Sequence, residues 1–219
     1  MALALYGHPF SSYTQKVLIA LYESDTAFEF RCIGPDTPDH VRDWSRRWPM
    51  GKFPLLVDGD ASIAESSIII EHLDIHHPGK ARLIPADPNR ALAVRFLDRY
   101  FDFHVMDAMQ IAVEAALGRL PIKREDGIAV AAGRLKRAYA WLETELAGRP
   151  WATGDAFTMA DCAAAPSLFY ADWTHPIGHD FPVLRAYRAR LLQRPSFARA
   201  VDEARPFRSL FPLGAPSRD

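Results

Sequence analysis

The sequence predicts an α/β unit followed by an all-helical unit. Strand signals are confined to the first third of the chain, where Phe28, Phe30 and Cys32 alternate with charged residues. One stretch, residues 49–76, joins an apolar run, a tight turn and a helix start, which is typical of a β-hairpin followed by a helix. From residue 89 onward, apolar residues recur at helical spacing.

The α/β unit carries signals for the order β-α-β-α-β-β-α. Residues 2–6 form a short apolar run typical of a buried strand, and residues 17–21 have helical spacing. Residues 26–33 alternate as a second strand, and residues 39–48 provide one or two helical turns. A strand–helix–strand connection makes its strands parallel, and the hairpin adds antiparallel strands. We therefore expect a mixed sheet with flanking helices, as in thioredoxin-like domains.

The hairpin contains a proline in an unusual place. Residues 55–57 read as a buried strand, and Asp58-Gly59-Asp60 is a tight-turn signal. Pro54 stands at the mouth of the strand, where its missing N–H is tolerated. A cis peptide bond at such a position is a deliberate feature of a structure.

The helix that follows the hairpin begins with Glu65 and Ser66. Free backbone N–H groups and the helix dipole bind carboxylates at such a point. The Ser66 hydroxyl adds a further polar group, and the Glu65 carboxylate can accept from an ammonium. The pair suits an amino-acid head group, and a capped helix without a ligand is the alternative.

An extended linker at residues 79–88 divides the chain into units at residues 1–78 and 89–219. Thr158 and Asp161 form an N-cap signature in the second unit. The helices predicted there cover residues 89–120, 126–146, 162–170, 181–193 and 196–204. The tail is predicted to pack through three apolar residues, Phe207, Leu210 and Phe211.

Composition excludes several classes of protein. The 219 residues contain 26 Lys and Arg and 27 Asp and Glu, so the net charge of −1 does not favour nucleic-acid or membrane binding. Cys32 and Cys162 are far apart and suggest no metal site, and we expect free thiols in a reducing compartment such as the cytoplasm. The sequence shows no signal-peptide pattern and no apolar run near the ~18 residues of a membrane helix.

Two motifs of the hairpin stretch resemble a known family. P-M-G-K-F-P-L-L at residues 49–56 and E-S-S-I-I-I-E-H-L at residues 65–73 look like the glutathione-binding half of cytosolic glutathione transferases. W-A-T-G-D-A-F-T-M-A-D-C at residues 151–162 resembles the capping box of their helical half. The resemblance implies glutathione as co-substrate, a hydrophobic electrophile, no metal, a homodimer and a cis peptide at Phe53–Pro54.

The resemblance extends to the bacterial, serine-type members of the family. Matching Lys16-Val17 to the family's basic–valine pair places the thiolate-stabilising serine on Ser11. Ser12 and Tyr13 remain competitors for that role. The tyrosine of tyrosine-type members falls on Leu5, and Tyr6 is one residue off.

The resemblance also implies contacts for the rest of the ligand. The residues expected to bind glutathione are Phe53 and Pro54 at the cysteinyl part, Glu65 and Ser66 at the γ-glutamyl head, and Lys52 and His40 at the glycyl carboxylate. The electrophile pocket is expected between the first loop and the long helix, with Phe10, Tyr13, Phe103, His104, Asp107 and Trp173 as candidates.

Three other functions remain open. A zeta-class isomerase is ranked lower, because Tyr13 stands where that class has a cysteine after two serines. A cysteine-type thiol transferase is disfavoured, because position 11 is serine. A non-catalytic glutathione-binding or regulatory protein of the same fold is the third alternative.

Overall fold

Four strands and three helices form the α/β part of the chain in the computed structural model, which describes residues 3–219. They are β1 Leu3–Gly7, α1 Ser12–Glu23, β2 Phe28–Cys32, α2 Pro38–Arg47, β3 Leu55–Asp58, β4 Ala61–Ala64 and α3 Ser66–His76. This order confirms the predicted β-α-β-α-β-β-α pattern. Ala2, where the first strand was expected to begin, lies outside the described residues.

The strands form a mixed sheet in the order β2-β1-β3-β4. β1 pairs parallel with β2 and antiparallel with β3, and β3 pairs antiparallel with β4 across the tight turn. The first two strands are parallel because α1 connects them as a crossover. The predicted thioredoxin-like sheet is therefore confirmed.

The two faces of β1 are buried by different helices. Leu3 and Leu5 belong to the large core that also contains apolar residues of α1 and α3. Tyr6 faces the smaller cluster that contains Trp44 of α2. Successive side chains of a strand point to opposite faces, so this five-residue strand contributes to both cores.

The rest of the described chain is helical. Its elements are α4 Pro88–Tyr100, a π-helix at Phe101–Met106, α5 Asp107–Ala116, α6 Arg124–Glu145, α7 Met159–Thr174, α8 Pro182–Leu192, α9 Pro195–Ala204 and a 3₁₀-helix at Arg205–Leu210. The helix predicted over residues 89–120 is thus interrupted by a wider π segment that its apolar spacing did not reveal. None of the helices described over residues 3–219 has the length and hydropathy of a membrane-spanning segment.

The predicted capping box begins α7. Asp161 is fully buried and accepts hydrogen bonds from the Thr158 N–H at 2.9 Å and the Ala152 N–H at 2.8 Å. The Tyr187 hydroxyl donates to the same carboxylate at 2.7 Å. Thr158 and Asp161 therefore have the structural role that the sequence predicted.

The C-terminal segment packs only in part as predicted. Phe211 is buried, and the ring of Phe207 lies 4.6 Å from that of His8. Leu210 is 59% exposed, so its predicted packing is wrong. The reason is the 3₁₀-helix, whose turn directs Leu210 away from the core before the chain reaches Phe211.

Candidate active site

Three chain segments meet at one edge of the sheet. Tyr6 in β1 pairs with Leu55 in β3, and Leu55 also pairs with Ala64 in β4. The residues just beyond these pairs are the loop after β1, the Phe53–Pro54 bond before β3, and Glu65-Ser66 at the start of α3. The register of β1, β3 and β4 therefore brings together three segments that are separate motifs in the sequence.

The loop after β1 begins at a glycine that packing requires. A Cβ atom at Gly7 would lie 2.6 Å from the Thr14 side chain, which is closer than carbon atoms approach. The first turn of α1 therefore lies directly against the end of β1. This close approach sets the position of the loop residues 8–11 relative to the sheet.

Ser11 is the N-cap residue of α1. Its backbone is extended, with φ −82° and ψ 126°, and its Oγ accepts a 3.3 Å hydrogen bond from the Thr14 N–H. A serine hydroxyl has one hydrogen to donate and two lone pairs to accept with. Ser11 can therefore cap the helix and still donate its hydroxyl hydrogen to a ligand, so capping does not exclude the role expected for Ser11.

The two competitors of Ser11 lie on the side of α1 that faces the helical part of the chain. Ser12 and Tyr13 border a narrow gap between α1 and the helical part, next to Asp102. The Tyr13 hydroxyl donates to Asp107 Oδ1 at 3.3 Å. Burial, followed by the charges of Asp102 and Asp107, raises the pKa of Tyr13 well above its usual value. Tyr13 is therefore a weak acid whose proton is already engaged.

The alternative tyrosine, Tyr6, lies on the face of the sheet that packs against α2. Its hydroxyl donates to Asp43 of α2 and accepts from Arg31 of β2. Burial and then the bond to Asp43 raise the pKa of Tyr6. Its ring packs with Trp44, away from the loop that carries Ser11.

The peptide bond between Phe53 and Pro54 is cis, as predicted. Pro54 is buried and directly precedes β3. The Trp44 Nε1–H of α2 donates to the Lys52 carbonyl at 3.1 Å, and the rings of Trp44 and Phe53 lie 5.8 Å apart. α2 therefore supports the backbone of this segment.

Glu65 has a backbone conformation that sequence reasoning did not anticipate. Its φ is +68°, in the region that non-glycine residues rarely adopt. Its side chain is exposed and makes no capping bond to α3. Ser66, the first residue of α3, is 7% exposed. The free carboxylate of Glu65 and the first N–H groups of α3 thus stand side by side.

His40 and Lys52 lie on the α2 side of these segments. His40 is half-buried in α2, and its Nδ1 lies 3.1 Å from the Cys32 carbonyl oxygen. That contact occupies one ring nitrogen and leaves Nε2 for another partner. The Lys52 side chain is exposed.

Phe10 links the loop to the helical part. Its ring packs edge-on against Tyr170 at 5.3 Å and lies 6.4 Å from Trp173. The Tyr170 hydroxyl donates to the Phe10 carbonyl at 2.9 Å, and Gln15 Nε2 donates to the Pro9 carbonyl at 2.9 Å. Trp173 is only 8% exposed, so it packs against Phe10 from the core side.

The other pocket candidates lie on the π-helix and at the start of α5. Asp107 accepts from Tyr13, as described above. Phe103 is 55% exposed, with the Arg99 guanidinium 5.3 Å from its ring centre. The exposed His104 ring lies 4.8 Å from that of Tyr100. The six candidates therefore divide into a Phe10–Trp173 pair, a Tyr13–Asp107 pair, and two exposed residues.

Lys16 belongs to the basic–valine pair used to place Ser11, and its environment was not predicted from the sequence. Lys16 is 1% exposed, and its Nζ lies 2.6 Å from Asp98 Oδ1 and 2.8 Å from Asp102 Oδ2. It also donates to Ser67 Oγ at 2.8 Å. Arg99 pairs with both carboxylates from the solvent side at 2.7 Å. Ser67 follows Ser66, so this cluster joins α1 to the start of α3.

Family models match both halves of the chain. The model of the glutathione S-transferase N-terminal domain matches residues 5–81, and that of the C-terminal domain matches residues 104–190. Glutathione S-transferase Z2 of Arabidopsis thaliana is 31% identical over 214 residues, which cover 93% of this chain and 92% of the relative. The chain belongs to the glutathione S-transferase family.

Two further proteins match over similar lengths. A probable maleylacetoacetate isomerase of Vibrio cholerae is 28% identical over 214 residues, covering 94% of this chain and 98% of the relative. The crystal structure of a glutathione transferase homologue from Drosophila mojavensis with bound glutathione has a TM-score of 0.83. That structure is 22% identical and covers 98% of both chains, so it supports the shared fold.

Proposed function

We propose that this member of the glutathione S-transferase family binds glutathione and activates its thiol for attack on a hydrophobic electrophile. The observation that carries the proposal is the meeting of three features at one sheet edge. They are the Ser11 hydroxyl, the cis Phe53–Pro54 bond, and the start of α3 at Glu65-Ser66. Glutathione has groups that match all three: a thiol, a peptide backbone, and a head with both charges.

The Ser11 hydroxyl would stabilise the thiolate by donating a hydrogen bond. A free thiol with a pKa of ~8.5 is only a few per cent ionised at pH 7. A hydrogen bond to a charged group contributes about 1.5–3 kcal/mol, which corresponds to roughly one to two pKa units. Such a shift makes thiolate a large fraction at neutral pH, and Ser11 keeps its own proton.

The remaining contacts follow from the chemistry of each group. The Phe53 backbone would pair with the cysteinyl part of glutathione as an added strand, beside Pro54. Glu65 would accept from the γ-glutamyl ammonium, while Ser66 and the N–H groups of α3 donate to its carboxylate. Lys52 and His40 would meet the glycyl carboxylate from the α2 side.

The decisive experiment is a spectroscopic titration of the thiolate of bound glutathione. Ser11→Ala should raise the thiol pKa by about one to two units and lower the rate near pH 7 by about ten- to a hundredfold. Much of the rate should return at high pH, where the thiol ionises unaided. Ser12→Ala and Tyr13→Phe are the matched controls and should leave the pKa near the parent value. A pKa that moves in Tyr13→Phe but not in Ser11→Ala would show that the role belongs to Tyr13.

The head-group assignment has its own test in steady-state kinetics. Ser66→Ala should raise the half-saturating glutathione concentration more than it lowers the maximal rate. The reason is that Ser66 contacts are equally strong in the ground and transition states. A lower maximal rate with unchanged half-saturation would contradict the assignment.

An isomerase function is the second candidate. It is favoured by the match to a probable maleylacetoacetate isomerase over nearly the whole of both chains. It is disfavoured by Tyr13, which follows the two serines of the loop. Parallel turnover measurements with maleylacetone, haloaromatics and peroxides separate the activities. Retention on immobilised glutathione without turnover of any of them would indicate a non-catalytic binding protein.

We further propose a homodimer formed through α3 and α4. Four apolar side chains on these helices are 54–68% exposed: Ile68, Ile75, Leu92 and Phe96. Solvent exposure of such a set on two neighbouring helices favours burial against a second copy. Leu92→Asp should shift sedimentation from dimer to monomer, whereas Leu117→Asp, at the exposed residue that follows α5, should not. A monomeric parent at micromolar concentration would refute the proposal.

We also infer the domain division and the location. The two family matches support a glutathione-binding domain at residues 1–78, a linker at 79–88 and a helical domain at 89–219 that contributes the electrophile pocket. The free thiols of Cys32 and Cys162 support a reducing compartment, such as the cytoplasm.

A further inference from the structure

A cluster of metal-ligating side chains lies at the far end of α3. It consists of Asp58, the last residue of β3, of His72 in α3, and of His77, which directly follows α3. One ligand atom from each of the three residues lies within 4.8 Å of the others. The side chains are 18–31% exposed, so the cluster is partly enclosed but open to solvent on one side.

Both imidazole rings point at the same carboxylate oxygen. His72 Nε2 lies 3.0 Å from Asp58 Oδ2, and His77 Nε2 lies 2.6 Å from it. The ligand atoms of a tetrahedral zinc site, with bonds of about 2.0–2.2 Å, are separated by roughly 3.3 Å. The cluster therefore needs only small side-chain rotations to admit an ion between its three ligand atoms.

The arrangement is more specific than a hydrogen-bonded surface histidine. Residues 72–77 contain three of the eight histidines of the chain. Two of them converge on one acidic group that is supplied by a different element, 14 and 19 residues away in the chain. Imidazole with carboxylate suits borderline divalent ions such as Zn²⁺, whereas Mg²⁺ prefers oxygen ligands alone.

We propose that Asp58, His72 and His77 bind one divalent transition-metal ion of the Zn²⁺ type. The ion takes one nitrogen from each ring and one oxygen from the carboxylate, and water completes its coordination. Each ligand coordinates through an atom that carries no proton, namely a ring nitrogen or a carboxylate oxygen.

The site is separate from the candidate active site. β3 runs antiparallel to β1, so Asp58 lies at the edge of the sheet opposite to the loop that carries Ser11. α3 has 11 residues, which span about 16 Å at about 1.5 Å per residue. Ser66 stands at one end of this helix and His77 follows the other. The ion therefore joins the end of α3 to the end of β3 without contacting glutathione.

The proposal is tested by calorimetric titration of the full-length, chelator-treated protein with Zn²⁺. Glutathione and other thiols are omitted, since they bind Zn²⁺ themselves. The parent protein should bind one Zn²⁺ per chain and show a higher Tm with Zn²⁺ than without it. Asp58→Asn and His77→Gln should each weaken binding by at least tenfold. His179→Gln, at an exposed histidine elsewhere, should bind like the parent, and Mg²⁺ should not compete.

Three results of the calorimetric titrations would overturn the proposal. The first is no saturable heat in the parent. The second is parent-like binding by both Asp58→Asn and His77→Gln. The third is loss of binding in His76→Gln with full binding in Asp58→Asn, because that would indicate chelation by His72 and His76 on the helix surface. Titration of the parent with Co²⁺, followed by its visible absorption, requires no variant, and an unchanged spectrum would also contradict the site.

Discussion

Replacing Lys16 with methionine is the most informative test of how the structure is held together. The ammonium group is buried against Asp98 and Asp102 at 2.6 and 2.8 Å. At these distances and an effective dielectric constant near 20, each pair contributes about 6 kcal/mol of Coulomb energy. That energy offsets the desolvation of three charged groups. Lys16→Met fills a similar volume but leaves the two carboxylates facing each other.

The expected loss in the free energy of unfolding depends on the charged groups that remain around Asp98 and Asp102. Removing one partner of a buried ion pair costs about 3–5 kcal/mol. Arg99 still pairs with both carboxylates, and its side chain is 42% exposed, so we expect the lower end, about 3 kcal/mol. For a chain of this length that corresponds to a Tm lower by roughly 6–12 °C. Urea unfolding followed by circular dichroism, at one fixed protein concentration, measures the difference.

The pH dependence of the variant gives a second readout. Burial already raises the pKa of Asp102, and losing Lys16 should raise it further. A carboxyl group with a raised folded-state pKa favours the folded state as pH falls, because that state then binds more protons. The stability deficit of Lys16→Met should therefore be largest at pH 7 and shrink toward pH 5. Lys136→Met, at an exposed lysine of α6, is the control. A deficit below about 1 kcal/mol, or one that does not vary with pH, would refute this reasoning.

Three further predictions concern single contacts. Glu23→Gln should cost about 1.5–3 kcal/mol in the free energy of unfolding at pH 7. Burial opposes ionisation of Glu23, but hydrogen bonds from Arg194 and Ser196 outweigh it and lower its pKa. The deficit should therefore shrink as pH falls from 4.5 through the lowered folded-state pKa, and an equal deficit at pH 3 would contradict this. Gly7→Ala should cost about 1–3 kcal/mol in urea unfolding because of the Thr14 contact, while Gly34→Ala, with open space around it, should be neutral. Glu65→Gly should stabilise the protein by up to about 2 kcal/mol by relieving the positive φ, yet raise the half-saturating glutathione concentration; destabilisation would show that no strain is stored there.

The features that were predicted from the sequence depend on residues that are close together in the chain. The hairpin is encoded by Asp58-Gly59-Asp60 between two apolar runs, and the capping box by residues three apart. Helix ends were predicted to within a few residues for the same reason. The π-helix at Phe101–Met106 was missed because its apolar residues continue the spacing of α4 closely enough to resemble one helix.

The features that the sequence did not predict join residues far apart in the chain. Lys16 and Asp102 are 86 residues apart, and Tyr13 and Asp107 are 94 residues apart. A lysine within an apolar helix face gives no sign of which carboxylates neutralise it. The positive φ of Glu65 was also hidden, since glutamate is rarely found in that conformation.

The same long-range contacts bear on how the candidate site is positioned. Ser11 lies on a loop, and loops are held in place by the rigid elements around them. Here those elements include α7, since Tyr170 donates to the Phe10 carbonyl and accepts from the buried Gln15 at 3.0 Å. Lys16, the next residue of α1, connects the same helix to α4 through its ion pair with Asp98. The helical part of the chain therefore fixes the orientation of α1, and with it the position of Ser11 at the N-cap of that helix. With the role proposed for Ser11, a substitution in α4 or α7 that leaves the proposed glutathione contacts intact should still change the thiolate pKa.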